Sequence, residues 1–188
     1  MSYSLHEFCA EARATLAVSD DHQGREAIRQ KLELLLHDAA FCSTFIAPDD
    51  DSGVTQIYQD PELKFCVLTY NMSQPRTSPP HDHGNSWAVY GQASGHTDMT
   101  LWSAVGGNDD EDSNIEPVKK FRLEPGQAGL FDVHEIHSIQ YTEGAKFVRV
   151  TGVDMAQEAR RVYDPETGTV RVIEHVGTGS TELNGNKE

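Results

Sequence analysis

The chain has 188 residues, 37% of them hydrophobic, with a formal net charge of −15 and a pI near 4.9. That length supports one domain with a real core, and that charge repels nucleic acid and anionic membrane surfaces. No segment approaches the roughly 18 apolar residues of a membrane helix. Residues 1–7 lack the basic-then-apolar pattern of a secretory leader. Cys9, Cys42 and Cys66 show no metal-type spacing, and an odd count suits reduced thiols, so a cytoplasmic location is expected.

Residues 4–40 are expected to be helical. Ser4 can cap a first helix, with Glu7 placed as in a capping box. Leu5, Phe8, Cys9, Ala12 and Leu16 fall on one stripe. Asp20-Asp21-His22-Gln23-Gly24 is expected to break it, and Ile28, Leu32, Leu35 and Leu36 define a second helix. Asp49-Asp50-Asp51 has the composition of a solvated loop.

From Val54 the texture changes to short strands and turns. Residues 54–58 (VTQIY) and 63–70 (LKFCVLTY) are rich in branched and aromatic side chains, separated by an Asp60-Pro61 turn. Residues 74–80 form a loop with three prolines. Strands are expected at 87–90, 96–105, 118–123, 128–131, 138–141, 146–153, 161–163 and 169–173. Turns are expected at 91–95, at Glu124-Pro125-Gly126 and at Thr142-Glu143-Gly144, with an acidic loop at 106–114. About ten short strands at regular spacing predict a mainly β sandwich or barrel. The expected organisation is a single domain over 1–176, with helices at 4–40, a barrel at 54–173 and a polar, glycine-rich, disordered tail at 177–188.

The segment Pro79-Pro80-His81-Asp82-His83-Gly84 carries the chemistry. Two histidines one residue apart on an extended segment point the same way and can share one metal ion. Neutral imidazole suits iron, zinc, nickel and copper. About fifty residues on, Val133-His134-Glu135-Ile136-His137 offers a third ligand from another strand. In an extended segment His134 and His137 face opposite sides, so only one of them can join the pair. Asp82, between the ligands, should point away.

These residues resemble the motifs of the cupin superfamily. The first motif is His81-Asp82-His83 closing at Gly95, and the second runs from Glu124-Pro125-Gly126 to His137-Ser138-Ile139. The resemblance spans roughly 54–153 and implies a double-stranded β-helix, a jelly-roll barrel with N-terminal helices packed on it. It favours His137 over His134 as the third ligand. Many cupins add a glutamate four or five residues after the HxH; here those positions are Trp87 and Ala88, and Trp87 is expected to pack beside the metal. A three-histidine set without a carboxylate is similar to the thiol dioxygenases, which include cysteine dioxygenase and 3-mercaptopropionate dioxygenase. That resemblance implies Fe(II), with Zn, Ni or Mn as alternatives, and a small thiol or small carboxylic acid plus O2 as partners. A homodimer stays open.

The family's Ser-x-His-x-Tyr strand is replaced here by Phe147, Arg149 and Thr151, and its crosslinking cysteine falls at Ala88. Arg149 is the expected anchor for a substrate carboxylate, since a guanidinium binds one in a bidentate fork. Tyr70 and Gln56 are further candidates for the cavity wall. The loss of the triad leaves a second expectation open: a cupin of another type, an isomerase or hydrolase using the metal as Lewis acid, or a small-ligand-binding module.

Overall fold

The computed structural model describes residues 3–46, 53–105 and 114–174. The acidic stretches expected as loops at 49–51 and 109–112, and the tail at 177–188, lie outside the described residues. Two helices lead, α1 (Leu5–Val18) and α2 (His22–Leu36). A short α3 (Ala39–Phe41) then runs into a π-helical turn, Cys42–Ile46. The capping box forms as expected: Glu7 N–H donates to Ser4 Oγ at 3.2 Å, and Ser4 N–H donates to the Glu7 carboxylate at 2.8 Å. No helix among the described residues is long and apolar enough to cross a membrane.

Eleven strands follow among the described residues. They are β1 (Gly53–Gln59), β2 (Cys66–Met72), β3 (Arg76–Thr77), β4 (Ala88–Ser94), β5 (Thr97–Val105) and β6 (Asn114–Leu123), then β7 (Ala128–Phe131), β8 (Ile136–Tyr141), β9 (Ala145–Thr151), β10 (Arg160–Tyr163) and β11 (Val170–Ile173). One antiparallel sheet has the order β1-β2-β9-β4-β7, a second has β3-β8-β5-β6, and β10 and β11 form a hairpin. Among β2 to β9, first pairs with last, second with seventh, third with sixth and fourth with fifth. In jelly rolls, and in the double-stranded β-helix, two nested Greek keys give this pairing. The molecule is therefore mainly β, as the pattern of short strands predicts, and a double-stranded β-helix with N-terminal helices, as the resemblance implies. The expected barrel is corrected in that it is not closed: the two sheets are separate ladders. Between β3 and β4 the chain crosses from one sheet to the other, and before it does so Pro79 and Pro80, which have no N–H to extend a ladder, interrupt its pairing with β8.

Side chains alternate between the two faces of the larger sheet, both of which are covered, and sort into two main cores. Val67, Val89, Val148 and Val150 face the helices and pack with Phe8, Cys9 and Ala12 of α1 and Ile28, Leu32 and Leu35 of α2. Ala88, Tyr90, Met99, Phe131, Tyr141 and Phe147 fill the space between the sheets. The α2 helix also covers the edge strand β7, where Glu33 accepts from Ala128 N–H at 3.0 Å and Arg29 donates to Ala128 C=O at 3.2 Å. An edge covered in this way cannot template further strands.

Three expected boundaries move, each for a local reason. Gly24 lies inside α2 rather than in the break, because Asp21 caps the helix and accepts from Gly24 N–H at 3.0 Å. A Cβ there would sit 1.9 Å from Ser19 O, so the glycine permits a tight interhelix turn. Gly91 lies inside β4 rather than in a turn, and a Cβ on it would meet Leu32 and Leu36 at 2.8 Å. Only Gly95, at φ +68°, turns the chain there. Leu63 and Lys64 precede β2, in a turn whose Glu62 and Leu63 N–H groups both donate to Asp60 Oδ1.

Asp60 ties that turn to α1. Its fully buried carboxylate accepts from Arg13 Nε at 2.7 Å and from Tyr58 OH at 3.0 Å. Burial alone would raise its pKa, but the donated bonds prevail and hold it near about 2, against 3.8 ordinarily. A group with a depressed folded pKa contributes stability that is complete above 3.8 and lost as the pH falls through about 2. Asp60→Ala is expected to lower unfolding stability by about 2 kcal/mol at neutral pH, less than a fully buried pair because Arg13 can be resolvated. Urea titrations of both proteins should show the difference shrinking toward pH 2.

Candidate metal centre

The segment that crosses between the sheets carries the first two histidines. His81 and His137 exchange both backbone hydrogen bonds, N–H to C=O, each at 2.9 Å. Between the Thr77–Gln140 pair and the His81–His137 bridge the register slips by one residue, across Pro79-Pro80. Opposed residues in such a pair put their side chains on one face. The His81 and His137 rings are therefore 4.6 Å apart, centroid to centroid. His83, two residues on, returns to the same face, at 5.4 Å from His81 and 4.9 Å from His137.

One nitrogen from each ring converges, and all three lie within 4.8 Å of one another. The residues are 7%, 2% and 0% exposed for His81, His83 and His137. Nδ1 of His81 faces Pro79 C=O at 2.9 Å, and Nδ1 of His137 faces Glu135 C=O at 3.3 Å. A carbonyl only accepts, so each Nδ1 carries the proton and each Nε2 keeps its lone pair. Nε2 of His137 is buried without a hydrogen-bond partner. A buried, orphaned lone pair aimed at two other imidazoles fits a ligand waiting for a cation.

The electrostatics agree. Burial first, then the neighbouring imidazoles, hold His83 and His137 well below the ordinary histidine pKa of 6.5. Both rings are thus neutral at physiological pH, the form that ligates. The charge of Arg149 acts on both in the same direction, and that of Arg160 on His83. Three neutral nitrogens suit a first-row divalent ion and leave its charge uncancelled.

Asp82 turns away from the imidazoles. It is fully buried and accepts from Gly84 N–H (3.0 Å), Arg161 N–H (2.9 Å) and Tyr163 OH (3.1 Å). Burial, with the adjacent carboxylate, raises the Tyr163 pKa, so the phenol keeps the proton it donates. His134 takes no part in the cluster: it is exposed, in a turn at φ +63°.

Two of the other expected residues, Gln56 and Arg149, lie on one row across the larger sheet, and Tyr70 sits two residues along β2 from that row. Gln56 of β1 pairs with Leu68 of β2, Leu68 with Arg149 of β9, and Arg149 with Tyr90 of β4. Arg149 is buried, and its guanidinium lies 5.0 Å from the centre of the Tyr70 ring. Tyr70 is half-buried and stacks on Phe147 at 4.5 Å. Gln56 sits exposed at the outer end of the row, two strands from Arg149. Trp87, expected beside the metal, instead belongs to the helix-side core, because Ala88 and not Trp87 faces between the sheets.

Two residues here escaped the sequence reading. Tyr90 is buried, with its OH 3.3 Å from His83 Nε2; sharing a strand face with Ala88, two residues earlier, was the available signal. Arg160 had none, because its place depends on β10 pairing with the HxH segment.

No family model matches the chain, and no curated protein does. Among solved structures it is similar to the cupin domain of Schizosaccharomyces pombe Cnp3, at 13% identity and a TM-score of 0.39, covering 52% of this chain and 57% of that one. A cupin superfamily protein from Desulfitobacterium hafniense gives 15% and 0.39, over 56% and 82% of the two chains. A double-stranded β-helix domain protein from Klebsiella pneumoniae gives 12% and 0.40, over 71% and 87%.

Purified protein reconstituted with a divalent metal is expected to retain about one ion per chain, as one three-nitrogen site should. His83→Ala and His137→Ala should each abolish retention by elemental analysis, and His134→Ala should leave it intact.

Proposed function

We propose that this chain is a mononuclear metal-dependent enzyme that holds Fe(II) through His81, His83 and His137 and oxidises a small thiol acid with O2. The observation that carries this reading is a buried, neutral three-histidine cluster with no carboxylate ligand, next to a buried arginine. Iron bound there would supply the oxygen chemistry, R–SH + O2 giving R–SO2H with both oxygen atoms on sulfur. Its preference over zinc, nickel or manganese follows the resemblance to thiol dioxygenases.

The chain's own groups do the positioning. Arg149 would hold the substrate carboxylate in a bidentate fork, and the Tyr70 ring beside it keeps the guanidinium in place through a cation–π contact. Tyr90 OH lies close enough to His83 to donate to a group bound at the cluster. Burial of all three imidazoles keeps bulk water from a reactive thiolate.

A second reading, a Lewis-acid enzyme, is favoured by β9. There Phe147 is packed among Tyr70, Tyr90 and Tyr141, and the Thr151 hydroxyl donates to Val153 C=O. Neither position offers a proton-transfer group to the substrate.

Iron-loaded protein is expected to consume O2 with a small mercapto acid in an oxygen electrode. Arg149→Gln should raise KM by roughly tenfold or more, with iron content unchanged, as loss of a charged hydrogen bond would. Silence against a panel of small thiols, with zinc or manganese retained from the cell, would select the Lewis-acid reading instead.

A further inference from the structure

His81 and His137 lock each other through their two exchanged backbone bonds, but His83 lies beyond that bridge. Its own C=O accepts from Ser86 N–H at 3.0 Å, so residues 83–86 close a tight turn that begins on a ligand. Gly84 takes φ +58° in this turn, a conformation glycine adopts without a Cβ penalty. A Cβ there would lie 2.1 Å from Ala159 O and 2.6 Å from Glu158 Oε1. The connection from β9 to β10 therefore rests directly on the turn.

The turn is tethered on several sides. Asp82 accepts from Gly84 N–H at 3.0 Å, and Gly84 C=O accepts from His134 N–H at 3.3 Å. Ser86 Oγ accepts from Val153 N–H at 3.3 Å, and Trp87 C=O from Gly152 N–H at 3.1 Å. Asn85 N–H and Asn85 Nδ2 both donate to Glu158 Oε1, at 2.8 and 3.0 Å. Among these tethers Asp82 belongs to the HxH segment itself, and Glu158 is the charged side chain that reaches the turn from another connection. A carboxylate that accepts a backbone N–H makes a bond roughly twice as strong as a neutral one. The contact is also peripheral: Asn85 is exposed, Glu158 is half-buried, and both line a cleft of about 230 Å³. Removing it leaves both cores intact but frees the turn two residues from His83.

We infer that Glu158 is a positioning residue for the metal centre, clamping the 83–86 turn through Asn85 and so setting the direction of the His83 imidazole. The inference rests on reading the three histidines as metal ligands, but not on which metal they hold or on the reaction. Its test is cobalt(II) binding to the metal-free full chain, followed by visible absorption and by competition with a chelator. Glu158→Ala is expected to bind cobalt about tenfold or more weaker, as loss of a ligand's outer support gives. Its absorption bands should also change, because they report coordination geometry. Glu158→Gln, whose amide oxygen can still accept from Asn85 N–H, should restore most of the affinity and the parent bands. Asn85→Ala, which keeps that N–H, should cost less than Glu158→Ala. The metal-free proteins should all unfold at nearly the same urea concentration.

A folded Glu158→Ala protein with the parent's affinity and bands would overturn the inference and leave the metal centre standing. So would an affinity loss that tracks a fall in the urea midpoint, which would make Glu158 a general stabiliser. Equal losses in Glu158→Gln and Glu158→Ala would replace the clamp by an effect of charge and overturn it too. An unaltered protein that takes up no cobalt would instead remove the metal reading, and this inference with it.

Discussion

Two backbone hydrogen bonds, from His81 to His137 and from His137 back to His81, hold the site together. They join the crossing between the sheets to β8 and fix which side chains share a face. Had the pairing slipped one residue further, His137 would meet Asp82 and the imidazoles would point apart, because strand side chains alternate. The slip that is present falls at Pro79-Pro80, where neither residue has an N–H to donate to β8. The prolines therefore place the register error where it aligns the ligands.

The same segment is held from its other side. Asp82, between the ligands, satisfies two backbone donors and a phenol, and β10 adds its own ladder bonds. Ligand geometry is thereby set by backbone pairing and a buried carboxylate rather than by the imidazoles. Such outer support orients ligating rings before any ion arrives. The helix layer packs on the opposite face of the larger sheet, and Gly91 lets α2 lie against β4 without displacing Leu32 and Leu36. A rigid backing for β4 and β9 in turn steadies Tyr90 and Arg149, whose faces point the other way.

What the sequence disclosed was whatever is local. The capping box, the helix stripes, most strands and the HxH spacing depend on neighbours a few residues away, and the structure forms them nearly where the pattern puts them. Glycine was the recurrent misreading: Gly24 and Gly91 looked like breakers, whereas each admits a close neighbour from another element. Trp87 was misplaced by one step of strand alternation, which sends a side chain to the opposite core. Arg160 was invisible because Asp82 and Arg161, which set its register, are 79 residues apart. No periodicity encodes that pairing, since it follows from how two Greek keys close on each other.

Charge links these levels. The acidic residues outnumber the basic ones two to one, 30 against 15, yet two guanidiniums, of Arg149 and Arg160, act on His83 in the interior. Surface carboxylates act through water, where their field is screened within a Debye length of about 10 Å at 0.1 M salt. The guanidiniums act at short range through a poorly polarisable interior, where each charge counts for more. An acid bound as proposed would therefore be repelled only weakly at a distance and would meet a stronger field close to Arg149. The same field disfavours protons on His83 and His137, keeping the rings neutral beside the charges that would draw an acid in. One electrostatic arrangement thus favours the ligating form of the histidines and would serve the carboxylate proposed to bind at Arg149.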